Sequence, residues 1–181
     1  IRGQSASITV NVSNNRGGTS YLNAWIDYDR NGTLASGERI ASNLTVANGT
    51  TNSNRVINFT VPSTASVGTT CVRVRLTSSG TSNSTGSVGS GEVEDHLITI
   101  IDPTDFGDYS AFAAASSVVN SNLRIGEAVD MEATATTNSS ATGDDITGSD
   151  DEDGVTVPVY LSQGTASSLV VNVTNTSGSA A

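Results

Sequence analysis

Apolar and polar residues alternate with a period of two along the first hundred residues. Apolar side chains occupy every second position in Ile8–Val12, Leu22–Ile26, Ile57–Val61 and Val72–Leu76, with polar or small residues between them. The run Leu97–Ile101 instead carries apolar residues on both parities. Alternation is typical of strands with one buried face, whereas an apolar run on both parities predicts a strand buried on both faces.

The spacing of these strands indicates the fold class. Clusters of Asn and Gly, such as Asn14–Gly18 and Asn48–Thr50, separate the alternating runs and read as turns. Short strands divided by such turns favour an all-β fold, an antiparallel β-sandwich over residues 1–101. Residues 77–91 are almost all Ser, Gly, Thr and Asn and predict a long exposed loop.

The pattern changes after Asp102-Pro103. Residues 102–154 read as an acidic, loop-rich connector, within which 111–119 predicts one short helix and 123–125 a short strand. Strand-like runs return at 155–161 and 168–173. We therefore expect three segments, with residues 155–181 as the opening strands of a following repeat.

The two ends of the chain resemble each other. Residues 3–20 align without a gap to 164–181 at an offset of 161, and seven of the eighteen pairs are identical, including the Val10-Asn11-Val12 core. This predicts a tandem array in which the first sandwich lacks one strand and exposes an edge. We expect the sequence to be a piece of a longer chain, and a neighbouring copy, in the same chain or an adjacent subunit, to close that edge.

Charge and composition narrow the function. The net charge is −10, the eight basic residues are all Arg, and there is one His and one Cys. An acidic surface argues against nucleic-acid binding, and no apolar run is long enough for a membrane span. One His and few aromatic residues leave little for His-based catalysis or for a sugar-stacking cleft. We expect no enzymatic activity.

One loop carries a calcium-binding pattern. Residues 27–38 fit D-x-[DN]-x-[DN]-G-x5-E at every fixed position, although strands rather than helices flank them. In such a loop alternate oxygens converge on one ion, the glycine allows the turn, and the last Glu closes the shell. The expected calcium ligands are Asp27, Asp29, Asn31, Thr33 (through its carbonyl) and Glu38.

Two further acidic clusters are candidates for cations. The first precedes the strand at 155 and combines Asp144, Asp145, Asp150, Asp151 and Asp153. Such crowding is repulsive unless a cation or solvent screens it, so the segment is either a second calcium site or a solvated linker.

The second of these clusters lies at the entrance to the apolar run at 97. Glu92, Glu94 and Asp95 occur within Gly91–His96, with Glu92 and Glu94 on one face of the strand. Metal binding and an ion pair with Arg73 or Arg75 remain alternatives for this cluster.

These residues carry a family resemblance. GEVEDH at 91–96, together with AWIDYDRNGTLASGERI at 24–40, resembles the bacterial GEVED domain. The stretches at 105–112, 126–135 and 141–157 are similar to segments found between such domains in large secreted surface proteins. The resemblance implies an extracellular, multi-repeat protein at the bacterial cell surface. It also implies a second setting, because similar domains accompany secreted peptidases and other hydrolases.

The sequence therefore predicts a structural protein. We expect a repeat of an extracellular bacterial adhesin or surface fibre that calcium rigidifies, with strand complementation between neighbouring copies. The alternative is an accessory module of a secreted hydrolase that binds surface glycans, for which the aromatic cluster of Trp25, Tyr21 and Tyr28 would supply contacts, with Trp25 and Tyr21 on the same parity. Their other interpretation is one layer of the sandwich core.

Overall fold

The computed structural model describes residues 1–81, 83–143, 151–176 and 178. Strands dominate the described residues, which confirms the all-β class. The chain divides into two compact units, Ile1–Asp102 and Pro103–Ala181. No helix in the described ranges has the length and apolar character needed to cross a membrane.

The first unit contains six strands in two antiparallel sheets. The strands are β1 (Ser5–Asn14), β2 (Ser20–Ile26), β3 (Arg39–Val46), β4 (Thr50–Thr60), β5 (Gly68–Thr77) and β6 (Gly91–Ile100). One sheet pairs β1 with β4, and the other has the order β3–β2–β5–β6. A short 3-10 helix, Ser36–Glu38, precedes β3.

The core lies between these two sheets and follows the alternation seen in the sequence. It contains Leu22, Ala24 and Ile26 of β2 and Val72 and Val74 of β5. Val12 and Ile57 contribute from the opposite sheet. Burial of one face of each sheet is the main stabilising term in such a sandwich, at about 25 cal/mol per Å² of apolar surface.

The prediction that 97–101 is buried on both faces was wrong. Leu97 is 77% exposed, and within β6 only Ile100 is buried. The reason is position, because β6 is the edge strand of its sheet and its outer face stays open. Ile98 and Ile100 still pack toward the core.

Trp25 lies outside the sandwich core, contrary to the core-layer interpretation. It is 1% exposed, yet it belongs to the opposite parity of β2 from Leu22 and Ala24 and therefore faces away from the core. The guanidinium of Arg39 covers it, 5.3 Å from the ring centroid. This cation–π contact buries the ring on the outer face of the four-stranded sheet.

The exposed loop predicted at 77–91 is largely confirmed, because the described residues between β5 and β6 lie outside strands and most are exposed. Arginines nevertheless bind its carbonyl oxygens. Arg75 is 4% exposed and donates to the carbonyl oxygens of Asn83 (2.8 Å), Thr85 (3.2 Å) and Gly86 (2.8 Å). Thr77 ends β5 and is buried. A low-complexity segment can thus be ordered when its carbonyls find a buried cation.

The second unit is made of short strands. They are β7 (Thr104–Phe106), β8 (Ser116–Val118), β9 (Leu123–Ile125), β10 (Val155–Thr156), β11 (Val170–Val171) and β12 (Val173–Asn175). A 3-10 helix, Glu152–Gly154, precedes β10. The antiparallel pairs are β7–β8, β9–β12 and β10–β11.

Two predictions on this unit have different outcomes. The strand at 123–125 is confirmed as β9. The helix predicted at 111–119 was wrong, because residues 116–118 pair with 104–106 as β8. The β-branched Val118 and Val119 suit a strand, and the ladder to β7 supplies backbone partners that an isolated short helix lacks.

Candidate metal centre

The predicted calcium loop connects β2 to β3 at one end of the four-stranded sheet. Its first residue, Asp27, is fixed through its backbone, since its amide donates to the Cys71 carbonyl at 3.1 Å. The Thr70 hydroxyl donates to the Asp27 carbonyl at 2.6 Å. The neighbouring strand β5 therefore sets the start of the loop.

Side-chain carboxylates and amides organise the first half of the loop. Asp27 accepts from the amides of Asn31 and Gly32, both at 3.1 Å. Asp29 accepts from the Asn31 amide at 3.1 Å, and Asn31 Oδ1 accepts from the Thr33 amide at 2.7 Å. Gly32 has φ +79°, the left-handed conformation that glycine adopts without strain. This pattern curls the backbone around Asp27.

Glu38 reaches back from the 3-10 helix to close the loop. Its carboxylate is buried, at 7% exposure for the residue, and Oε1 accepts from the Tyr28 amide at 2.7 Å. Oε2 accepts from the Ala35 amide at 2.8 Å. One carboxylate therefore joins the beginning of the loop to its end.

The structure brings three of the predicted ligands together. Carboxylate oxygens of Asp27, Asp29 and Glu38 lie within 4.8 Å of one another. Among the described residues no arginine forms an ion pair with any of the three. Three like charges this close repel one another strongly unless a cation neutralises them. An all-oxygen set of this kind is chemically suited to a hard cation such as Ca²⁺.

The other two predicted ligands lie beside this cluster on the solvent side. Asn31 Nδ2 donates to Asp29 Oδ2 at 2.7 Å, and the Thr33 hydroxyl donates to Asn31 Oδ1 at 2.6 Å. Both residues are exposed. The amide oxygen of Asn31 is thus held by Thr33 next to the carboxylates.

Tyr28 is a neighbour of the site, a place that the sequence did not predict for it. It belongs to the core cluster, and burial together with the Glu38 carboxylate raises the pKa of its phenol to about 12. Its parity continues the inward series Leu22, Ala24 and Ile26, and that signal could have identified it. Tyr28 ties the acidic loop to the apolar core.

The acidic cluster at 144–153 is only partly within the described residues. Asp144, Asp145 and Asp150 lie outside them. Asp153 accepts from the amides of Glu127 and Ala128, at 2.9 and 3.1 Å, and Asp151 accepts from the Asp130 amide at 3.2 Å. In the described part of this cluster, these carboxylates hold the segment 127–130.

The acidic cluster on β6 is used differently along the strand. Asp95 forms a bidentate ion pair with Arg73, at 2.7 and 2.6 Å, and the hydrogen bond from Arg73 lowers the pKa of Asp95. Glu94 contacts His96 at 2.9 Å, and both side chains are more than half exposed. Glu92 and Glu94 face the space between the sheets, beside β1.

Comparison with protein families supports the resemblance stated above. The family model of the GEVED domain matches residues 21–99. The chain carries a GEVED domain. We found no match to this chain among the curated proteins or among the solved structures.

The GEVED domain contains the whole Asp27–Glu38 loop. The match begins inside β2 and ends inside β6, so it includes the complete four-stranded sheet apart from the strand ends. The run that names the domain, Gly91–Asp95, opens the edge strand β6. Strand β1 lies before the matched range, although it packs against the same core.

Proposed function

We propose that this chain is a structural repeat of an extracellular bacterial adhesin or surface fibre, rigidified by calcium. The observation that carries the proposal is the cluster of Asp27, Asp29 and Glu38, whose carboxylates converge without a cationic partner among the described residues. The resemblance of the GEVED domain and its flanking segments to large secreted surface proteins supports the location.

Calcium would stiffen the repeat by charge neutralisation. One ion held by the three carboxylates cross-links the end of β2, the loop and the 3-10 helix before β3. Without the ion the same carboxylates repel one another, and no cation links the parts of the loop. Extracellular modules bind calcium with Kd values of about 10⁻⁴–10⁻³ M, which matches a protein that works outside the cell.

The proposed partners are neighbouring copies of the same repeat. The offset of 161 residues between the two ends of the sequence supports this. A cavity of about 330 Å³ between β1 and β6 is lined by five apolar side chains together with polar ones, Glu94 and His96 among them, which supports an open edge that a further strand closes. The role is non-enzymatic in this proposal, and adhesion to surface glycans would depend on other parts of the array.

The glycan-binding alternative loses its main contact residue. Trp25 is 1% exposed beneath Arg39, so its ring has no free face for a sugar. An accessory module of a hydrolase would need another aromatic platform. The structural role is therefore the better supported of the two.

The test is thermal unfolding with millimolar calcium and with chelator. If calcium is present at about a thousandfold over Kd, linkage adds about 4 kcal/mol and raises Tm by about 15 °C or more. Asp29→Ala with Glu38→Ala should abolish the shift and remove one bound calcium in a titration.

Glu92→Ala with Glu94→Ala is the matched control, because it removes the same charge from β6, in the other described cluster for which metal binding is an alternative. This control should keep the calcium shift. An unchanged calcium stoichiometry in the Asp29/Glu38 double variant would overturn the assignment.

A further inference from the structure

We infer that the free edge of β1 binds β9 and β10 of an adjacent copy of this chain, so that each sandwich is completed by strands from its neighbour. The inference rests on the proposed function, because it requires more than one copy. It assigns the strands and the register of the contact. The two related ends of the sequence are the first observation behind it.

The related ends share backbone geometry as well as sequence. Gly3 and Gly164, 161 residues apart, have φ +77° and +76°. The amide of Gln4 donates to the Ile1 carbonyl at 3.3 Å, and the equivalent amide of Thr165 donates to the Ser162 carbonyl at 3.1 Å. The turns that lead into the two segments therefore match, and residues 170–175 correspond in sequence to the second half of β1.

In β1, one edge is used and the other is free. The carbonyl oxygens of Gln4 and Asn14 accept from the amides of Val61 and Gly49, so the backbone groups of even-numbered residues point toward β4. Those of Thr9, Asn11 and the other odd-numbered residues point to the opposite edge. In the described ranges, β4 is the strand that pairs with β1, and no second strand uses that edge.

In the copy, the equivalent of the free edge is paired. The Asn172 amide donates to the Gly154 carbonyl at 2.8 Å, and its carbonyl accepts from the Gly126 amide at 2.9 Å. Asn172 corresponds to Asn11, whose backbone groups point to the free edge of β1. The partners there are β10 and β9, which follow each other along one edge with Val155 opposite Val171 and Ile125 opposite Val173.

The junction of the two partner strands demands small residues. Gly126 and Gly154 meet beside Asn172, and a Cβ on Gly154 would lie 2.4 Å from the Gly126 amide nitrogen. This contact lets β9 and β10 form one continuous edge for a single long strand. In this chain residues 170–175 occupy that edge, and in an array the β1 strand of the following copy takes their place.

The side chains match the open groove. Val171 corresponds to Val10 and Val173 to Val12, so Val155 and Ile125 would lie beside Val10 and Val12 on the core side. Both are exposed in this chain, at 40% and 54%. The groove they would enter, about 330 Å³ between β1 and β6, is lined by Ile8, Val10, Val72, Val74 and Ile98 and also by polar residues, Glu94 and His96 among them. Val155 and Ile125 would therefore meet the apolar part of this lining.

The test is disulfide trapping in a two-copy chain, with residues 1–161 placed directly before the full 181-residue sequence. Both copies carry Cys71→Ser. Val155→Cys in the first copy is combined with Val10→Cys in the second. Val155 and Val171 form a non-hydrogen-bonded pair, in which Cα atoms are about 4.5 Å apart, within the range a disulfide spans. We expect both thiols to be lost on mild oxidation and the two peptides to be linked.

The control pairs Val155→Cys with Asn11→Cys, one residue along on the opposite face. This pair should keep both thiols free, and far-UV circular dichroism of the reduced proteins shows that each variant folds. A cross-link in the first pair and not the second supports the inference, whether it forms within one chain or between chains. Equal cross-linking of the two pairs, or none in either, overturns it.

The outcome is separable from that of the proposed function. A calcium-dependent Tm shift in the same two-copy chain without a Val10–Val155 disulfide would leave the calcium-stiffened repeat standing and reject this strand pairing. The disulfide without any calcium shift would reject calcium and keep the pairing.

Discussion

At the residue scale, single side chains tie the acidic loop to the rest of the sandwich. Glu38 accepts from the amides of Tyr28 and Ala35, so a buried carboxylate spans the loop even before a cation is considered. Tyr28 places its ring in the core directly beside this carboxylate. The pKa of the Tyr28 phenol therefore depends both on burial in the core and on the Glu38 carboxylate of the site.

Replacing Tyr28 by Phe tests this environment. In the described structure the phenol oxygen is buried without a hydrogen-bond partner, so removing it should leave Tm unchanged or slightly higher. The pKa of Tyr28 is raised to about 12 in the folded chain, so its contribution to stability is present below about pH 10 and is lost as pH rises toward 12.

Unfolding in denaturant from pH 8 to 12 checks the prediction. Tyr28→Phe should flatten the loss of stability above pH 10, and Tyr160→Phe, at an exposed tyrosine, should not. If the two variants lose stability in parallel with the parent above pH 10, Tyr28 does not carry the effect.

At the element scale, the four-stranded sheet is covered on its outer face by side chains and loops instead of a third layer. Arg39 lies over Trp25, and Arg75 binds carbonyls of the segment 83–86. β2 is consequently buried on both faces although it alternates in sequence. Arginines thus replace apolar residues as the cover of this face.

Arg75→Gln should destabilise this element. The change removes a buried cation that donates to three carbonyls, which we expect to cost about 2–4 kcal/mol and to open the segment 83–86 to proteases. Arg73→Gln is the matched comparison. It loses one carbonyl contact, to Ser84, and a partly exposed ion pair, at a cost of about 1 kcal/mol or less.

Urea unfolding and limited proteolysis with mass spectrometry measure both effects. Equal free energies of unfolding for the two variants would show that Arg75 does not hold the loop.

At the scale of the whole molecule, both units expose apolar side chains. Those of the first unit could be buried against the second unit of a neighbouring copy, and the reverse. The first has its open groove between β1 and β6, and the second exposes Val155, Val157 and Ile125. Exposed apolar patches of this kind are typical of interaction surfaces. An array of copies would bury them pairwise, as neighbouring units do in repeat proteins.

The two-copy chain should therefore melt in two steps. The second sandwich, whose groove is filled, should be the more stable, because burial of each additional Val or Ile contributes about 1.5–3 kcal/mol. Differential scanning calorimetry separates the transitions. Val155→Asp with Val157→Asp in the first copy should bring them together, whereas two transitions that persist in this variant would point to another cause.

The sequence by itself determined the β-class, the sandwich and the place of the acidic loop, because strand alternation and the D-x-D-x-N-G spacing are local signals. It also contained the similarity between residues 3–20 and 164–181. Only the tertiary structure decided which faces are covered. Leu97 is exposed because β6 is an edge strand, Trp25 is buried because Arg39 lies over it, and residues 116–118 form a strand because β7 lies beside them. Those outcomes depend on residues distant in sequence. The period of an apolar pattern does not specify which strand or side chain packs against each face.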